Sequence, residues 1–363
     1  MQVDCDDIML AIANRDPRTL TGVEQTNFHG HLAECESCRT LVTEEDDRYR
    51  WVSRLPEDAF DDPDAFVLPV VDPSVYDIDQ ELASGGMGRI TKAQDRRLGR
   101  DVAIKEVLDP KLRARFEREA MITARLQHPA IVPIYEAGTW PNGAAFYTMR
   151  LVWGGTLAVA IHKTRTMADR LALLPHVVAV TDALAYAHSN RIIHRDLKPG
   201  NVLVGEFGET VVIDWGLAKE LDHARIPLTG MGLELLGSSP GSNLTRAGTV
   251  LGTPGFMPPE QANGEAIDER ADVYALGAIL YNLLAGAPPY WDKLPNGSPE
   301  LTIAAGRAGP PTPIAELAPE TPADLIAIVE RAMARRTTDR YTTAKELAEQ
   351  LRSFQAGKLI ARE

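Results

Sequence analysis

Cysteine is scarce in this chain: three in 363 residues, at positions 5, 35 and 38. So small and odd a number excludes the disulfide framework of a secreted scaffold. Positive charge is also in deficit, with 38 Lys and Arg against 51 Asp and Glu and a formal net charge of −13. Tracking a nucleic-acid backbone needs clustered cations that displace counterions, so no nucleic-acid partner is expected. The excess carboxylates read as solvated surface. Long apolar runs are missing too. The longest, Val273 to Ala287, is interrupted by Asn282, falls short of the ~20 residues a membrane span needs, and reads as a buried core helix. The first ten residues, MQVDCDDIML, are acidic where a secretory signal is positive. No internal repeat is present, and the compartment these absences indicate is the cytoplasm.

What is present falls into zones. Residues 1–43 hold all the cysteines and read as short helices. Residues 44–75 combine Glu44, Glu45, Asp46 and Asp47 with Pro56, Pro63, Pro69 and Pro73, the composition of a linker. Residues 76–357 are dense and globular, and residues 358–363 form a short tail. In the globular zone strand-like runs come first, at Val102–Val107, Ile131–Glu136 and Ala145–Leu151, with a helical run at Leu112–Leu126 between them. Helical periodicity then dominates, at Leu171–Ser189, Asp272–Ala285, Pro322–Arg335 and Thr343–Phe354. A β-rich half followed by an α-rich half predicts two lobes with a cleft between them.

Four motifs carry chemistry. Ser84-Gly85-Gly86-Met87-Gly88, between Leu82 and Ile90, is a glycine loop whose backbone N–H groups can face phosphate oxygens. Val102-Ala103-Ile104-Lys105 ends an apolar strand in a lysine, and the following helical run supplies Glu119 as its counter-charge. Then come Ile193-His194-Arg195-Asp196-Leu197-Lys198-Pro199-Gly200-Asn201 and Ile213-Asp214-Trp215-Gly216. Phosphoryl transfer needs positioned metal ions, charge neutralisation and a carboxylate near the attacking hydroxyl. Asp214 and Asn201 offer the oxygen ligands Mg²⁺ takes, Asp196 can orient the hydroxyl, and Lys198 can neutralise the moving phosphoryl group. Each motif alone is weak; all four in this order are not a coincidence.

Over residues 76–357 these motifs resemble the eukaryotic-like serine/threonine protein kinases of bacteria. The resemblance implies an α+β, two-lobed protein kinase fold with a β-rich N-lobe and an α-helical C-lobe, binding ATP with Mg²⁺ or Mn²⁺ in the cleft. By the same resemblance, Lys105 contacts the α- and β-phosphates and pairs with Glu119. Asp196 is the catalytic base, and Asn201 and Asp214 hold the metal. Leu82, Ala83, Ser84, Gly85, Gly86, Met87, Gly88, Ile90 and Ala103 frame the nucleotide, with Met149 as gatekeeper and Arg150, Leu151 and Val152 as the hinge to adenine. Lys198 two residues after Asp196 marks the serine/threonine subtype, and Thr253 helps hold the substrate hydroxyl. Gly252 to Glu260 matches the end of an activation segment, Asp272 the helix supporting the catalytic loop, and Glu260 with Arg340 an ion pair. Three departures stand out: Ala83 for the first loop glycine, Trp215 for Phe beside Asp214, and Pro258 before Pro259-Glu260. None removes a phosphate, metal or proton-handling group.

The expected substrates are protein Ser and Thr hydroxyls, including those of a second copy in trans. Arg195 suits a phosphorylated activation segment, and Thr245 and Thr249 are the expected autophosphorylation sites. Family chains of this kind often continue into a membrane segment, which allows this to be the cytoplasmic part of a longer, membrane-anchored chain.

At the N-terminus, His31 and Cys35 lie four apart on one helical face, Cys38 completes a Cys-x-x-Cys turn, and Cys5 is a plausible fourth ligand. A Cys₃His set suits structural Zn²⁺, and a segment this short gains folding free energy from a metal. The spacing resembles the zinc-binding anti-sigma-factor module, which implies a small helical zinc-binding segment ahead of the kinase and a sigma factor or other regulator as partner. His29 as a substitute ligand, a reversible Cys35–Cys38 disulfide and inert buried thiols are the rival readings. A catalytically weak binding scaffold is the rival reading for the whole chain.

Overall fold

The computed structural model describes residues 68–85, 88–220, 253–292 and 298–357. The chain divides into two compact units, Met1–Val67 and Leu68–Glu363, and all described residues lie in the second.

The first part of that unit is a five-stranded antiparallel sheet in the order β1-β2-β3-β5-β4. Its strands are β1 (Tyr76–Gly85), β2 (Gly88–Asp95), β3 (Arg100–Glu106), β4 (Ile134–Thr139) and β5 (Ala145–Arg150). β3 is buried from Val102 onward, because the sheet is covered on both faces and the strand reads as a continuous apolar run rather than an alternation. On one face Trp140 stacks on Phe146 at 3.7 Å, with Tyr76 edge-on to both. The other face carries α1 (Arg113–Arg125), which turns Phe116, Glu119, Ala120, Met121, Ile122 and Thr123 inward. Asp109 starts the turn into this helix by accepting a hydrogen bond from the Lys111 amide, ahead of Pro110.

The second part is helical. After β6 (Gly154–Thr156) come α2 (Leu157–Lys163), α3 (Met167–Ala172) and α4 (Leu174–Ser189). Periodicity predicts one helix over 171–189, but Pro175, in the first turn of α4, cannot continue a helix from upstream, and the chain breaks at Leu173. Met167–Ser189 is long and apolar enough by length and composition to cross a membrane, yet Leu174, Val177, Val180 and Leu184 of α4 sit in the core of this lobe. The short strands β7 (Ile192–Ile193), β8 (Val202–Gly205), β9 (Thr210–Val212) and β10 (Lys219–Glu220) follow, pairing as β10-β7 and β6-β8-β9. The remaining helices are α5 (Pro259–Asn263), α6 (Arg270–Ala285), α7 (Pro299–Ala308), α8 (Ile314–Leu317), α9 (Ala323–Ala332) and α10 (Ala344–Gln355). Every residue of α6 from Ala271 to Leu284 is buried, as befits a helix that is apolar all round and is wrapped by others. Gly286, left-handed at φ 76°, ends it. The two parts are the β-sheet N-lobe and helical C-lobe that the resemblance implies.

Candidate active site

The cleft between the sheet and the helices has a volume of about 250 Å³. Its roof is Ala83, Ser84, Gly88 and Ile90, and its back is Lys105, Thr123, Val132, Tyr147 and Met149. The floor is Asn201, Ile213 and Asp214. Gly88 is required by contact: at φ 150°, a Cβ there would lie 1.8 Å from the Glu106 carbonyl oxygen. Ala103 is buried beside the cleft, in register with Met149. The Arg150 side chain turns away to Glu209 at 3.7 Å, and Leu82 is partly exposed. Leu151 and Val152, which join β5 to β6, are half-buried, and Gly85 closes β1. Gly86 and Met87 lie outside the described residues.

Lys105 Nζ reaches Glu119 Oε1 at 2.5 Å and Asp214 Oδ1 at 3.7 Å. Burial alone would lower the lysine pKa, but Glu119 and then Asp214 outweigh it and hold the ammonium above its ordinary value. Asp214 adopts φ 65°, and its buried Oδ1 has no hydrogen-bond partner among the described residues. A desolvated carboxylate oxygen without a donor suits a cation. Asn201 donates Nδ2 to the Asp196 carbonyl at 2.9 Å, which leaves its amide oxygen as the end suited to a metal. These two residues fit the Mg²⁺ or Mn²⁺ that accompanies ATP in this fold.

Asp196, Lys198 and Thr253 form a closed triangle. Lys198 Nζ donates to Asp196 Oδ2 at 3.0 Å and to Thr253 Oγ1 at 2.8 Å, while Thr253 donates to Asp196 Oδ1 at 2.9 Å. The chain beneath is held by Asp272 of α6, which accepts from the His194 amide at 2.8 Å, the Arg195 amide at 3.0 Å and His188 Nε2 at 2.8 Å. Gln261 Nε2 holds the Arg195 carbonyl at 2.9 Å. Burial works to raise the Asp272 pKa, but His188 and His194 overcome it and keep the carboxyl below its usual range. Lower in this lobe, Arg340 makes a bidentate pair with Glu260 at 2.6 and 2.7 Å.

The profile of the protein kinase domain family matches residues 76–351. The chain belongs to the protein kinase family. This kinase is 34% identical over 306 residues to serine/threonine-protein kinase PknD of Protochlamydia amoebophila, covering 78% of this chain and 30% of that one. It is 35% identical over 281 residues to serine/threonine-protein kinase PknB of Mycolicibacterium smegmatis, covering 75% of this chain and 41% of that one. The chain thus spans about three tenths to two fifths of the length of these curated relatives. Among solved structures it is similar to the PknI kinase domain of Mycobacterium tuberculosis, with a TM-score of 0.55 and 25% identity over 77% of this chain and 96% of that one. The kinase domain is therefore of the bacterial serine/threonine type, and the family implies ATP with Mg²⁺ or Mn²⁺.

Some expectations fall outside the described residues: the zinc ligands Cys5, His31, Cys35 and Cys38, the rival ligand His29, and the phosphoacceptors Thr245 and Thr249. Other functional residues escape sequence reasoning. Thr123, Val132 and Ile213 line the cleft, and Tyr147 reaches Glu119 from within it. Strand alternation would have found Tyr147, which sits two residues before Met149 and so faces the same way. Arg115 and Arg118 of α1 are also new. Burial depresses the Arg195 pKa first, and the charges of Arg118 and Arg115 lower it further against the opposing charge of Asp272.

Proposed function

We propose that this chain is an active kinase that transfers the γ-phosphoryl group of ATP to Ser and Thr hydroxyls of proteins. The single observation carrying this reading is the Asp196–Lys198–Thr253 triangle, tied through the Asp196 carbonyl to Asn201 on the floor of a cleft whose back holds the Lys105–Glu119 pair. When bound, ATP and its divalent cation supply the transferable group and the charge neutralisation. Asn201 and Asp214 hold the cation, and Lys105, fixed by Glu119, grips the α- and β-phosphates. Ala83, Ser84 and Gly88 cover the nucleotide, Met149 stands behind the adenine, and residues 150–152 supply backbone groups to its edge. Asp196 orients the incoming hydroxyl and accepts its proton. Lys198, already against Asp196 and Thr253, is placed to neutralise the transferring phosphoryl group, and Thr253 is displaced or joined by the substrate hydroxyl.

The reading extends to control. Thr245 or Thr249, phosphorylated in trans by a second copy, would present a dianion to Arg195, Arg115 and Arg118 and order the activation segment against them. The kinase domain works in the cytoplasm, where ATP is available. At the N-terminus, Cys5, His31, Cys35 and Cys38 form a structural Zn²⁺ site, and the segment they fold docks a sigma factor or another regulator. The intact catalytic groups weigh against a scaffold without activity.

Phosphoryl transfer to a generic basic protein and to the chain itself tests the central reading. Wild type should incorporate phosphate only with a divalent cation present, and Asp196→Asn should lose transfer by several orders of magnitude. Equal incorporation by the two proteins would sink it. Phosphopeptide mapping should find Thr245 or Thr249 occupied, and metal analysis of untagged, reduced protein should give about one zinc per chain.

A further inference from the structure

Tyr147 lies on β5 directly across from Lys105 on β3. Its side chain points to the back of the cleft, where the ring stacks on Phe116 of α1 with centroids 5.0 Å apart and an interplanar angle of 27°. The residue is only 3% exposed. Its hydroxyl donates to Glu119 Oε1 at 2.7 Å, the same oxygen that receives Lys105 Nζ at 2.5 Å. A buried tyrosine hydroxyl must find some acceptor. This one, instead of a backbone carbonyl, takes the carboxylate oxygen on which the nucleotide-binding lysine depends.

The arrangement has a mechanical meaning. α1 meets the sheet at this point through the Phe116 ring and the Glu119 carboxylate, and two donors from adjacent strands, Lys105 and Tyr147, grip that carboxylate. The lysine is not a dedicated partner, since it also faces Asp214 at 3.7 Å and must engage phosphates when nucleotide binds. The tyrosine hydroxyl, by contrast, is engaged with Glu119, while its ring stacks on Phe116 and lies 5.7 Å from Lys105 Nζ. Gly216 leaves the Glu119 carboxylate its room, since a Cβ there would lie 2.8 Å from Oε2. Hydrogen bonds to an ionised acceptor are about twice as strong as neutral ones. Burial first, and then the Glu119 charge, raise the phenol pKa well above its usual value, so the hydroxyl stays a donor throughout the working pH range.

We infer that Tyr147 is a positioning residue of this kinase: its hydroxyl latches α1 to the sheet and keeps Glu119 oriented toward Lys105 while Lys105 engages the nucleotide. The inference rests on the kinase reading above. Tyr147→Phe keeps the ring and its stacking on Phe116 and deletes only the hydroxyl.

The test compares wild type and Tyr147→Phe for kcat, KM for MgATP and thermal unfolding midpoint, in wild-type and Glu119→Ala backgrounds. In the wild-type background kcat should fall roughly ten- to hundredfold, as the loss of a hydrogen bond to a charged group implies. KM for MgATP should move less than about threefold, because the lost contact orders the site rather than binding nucleotide. With the acceptor already removed in Glu119→Ala, the same step should cost no more than about twofold further. A kcat unchanged in the wild-type background would overturn the inference, and so would an equal fold-loss in both backgrounds. So would a lowered midpoint with full kcat per folded molecule, the mark of packing alone. An active wild type with any of these results leaves the kinase reading standing, whereas an inactive wild type overturns both.

Discussion

Arg195 and Asp214 hold φ of 68° and 65°, a left-handed backbone that costs a non-glycine residue about 1–3 kcal/mol and persists only when its surroundings over-determine it. For Arg195 those surroundings are specific. Asp272 takes its amide, Gln261 takes its carbonyl, and its Nε donates to the Leu217 carbonyl at 2.6 Å. A pH dependence follows from Asp272. Its folded pKa lies below the unfolded value of about 3.9, so between those values the unfolded chain binds the extra proton and stability rises with pH. The contribution is full above about pH 5 and drains away as pH falls through 4 and lower. Thermal unfolding from pH 6 to pH 3 should show this decline, and Asp272→Asn should start lower and decline less steeply. Thr253→Ala tests the triangle separately. It leaves the fold intact but frees Asp196 and Lys198 from their shared partner, and kcat should fall about tenfold or more with the unfolding midpoint nearly unchanged. At this scale the order and chemistry of the motifs picked out Lys105, Glu119, Asp196, Lys198 and Thr253, which the fold joins in two hydrogen-bonded groups. Alternation along β5 tells which way Tyr147 faces, but not that its hydroxyl meets Glu119 or which charges surround Arg195, because both depend on how α1 lies against the rest of the fold.

Elements were legible where one physical signal dominated. β3 and β5 are short apolar runs, and α10 has polar and apolar residues at helical spacing, so their positions could be read to within a residue or two. β1 and β2 escaped because their residues alternate only partly and meet at glycines. α2 and α7 escaped because they are short and mixed in character. Between elements the Glu260–Arg340 pair is the clearest single joint. It ties α5 to the turn before α10, with the arginine side chain fully enclosed. Arg340 also donates to the Ala334 carbonyl at 2.7 Å and the Arg270 carbonyl at 2.9 Å, so its loss would strand a buried carboxylate and two carbonyl oxygens. Arg340→Ala should cost about 3–5 kcal/mol in denaturant unfolding. Glu260→Ala combined with it should cost much less than the sum of the single changes, since the stranded charge is then gone.

For the whole molecule, the two lobes meet at a cleft lined by residues of both. Binding to the folded form alone stabilises it by mass action, about 2.7 kcal/mol at a hundredfold excess over Kd. MgATP should therefore raise the unfolding midpoint, and chelating the cation should remove most of that gain. Asp214→Asn, which gives up the cation ligand, should show little of it. ATP giving the same shift with and without the cation would count against Asn201 and Asp214 as its ligands. The two-lobe organisation was readable from the order of strand-like and helix-like runs. The start of the compact unit was not, because residues 68–75 share the proline-rich composition of what precedes them. In the fold Leu68 is buried, the Val71 amide donates to the Thr139 carbonyl at 2.9 Å, and the Thr139 amide donates to the Pro69 carbonyl at 2.9 Å. This short stretch thus runs beside β4, the outermost strand of the sheet. An outermost strand presents unpaired amides and carbonyls that invite another chain to add to it. A protein begun at Tyr76, where the family profile begins, would keep every residue lining the cleft yet shed that cover, and self-association through the bared strand is the form its failure would take.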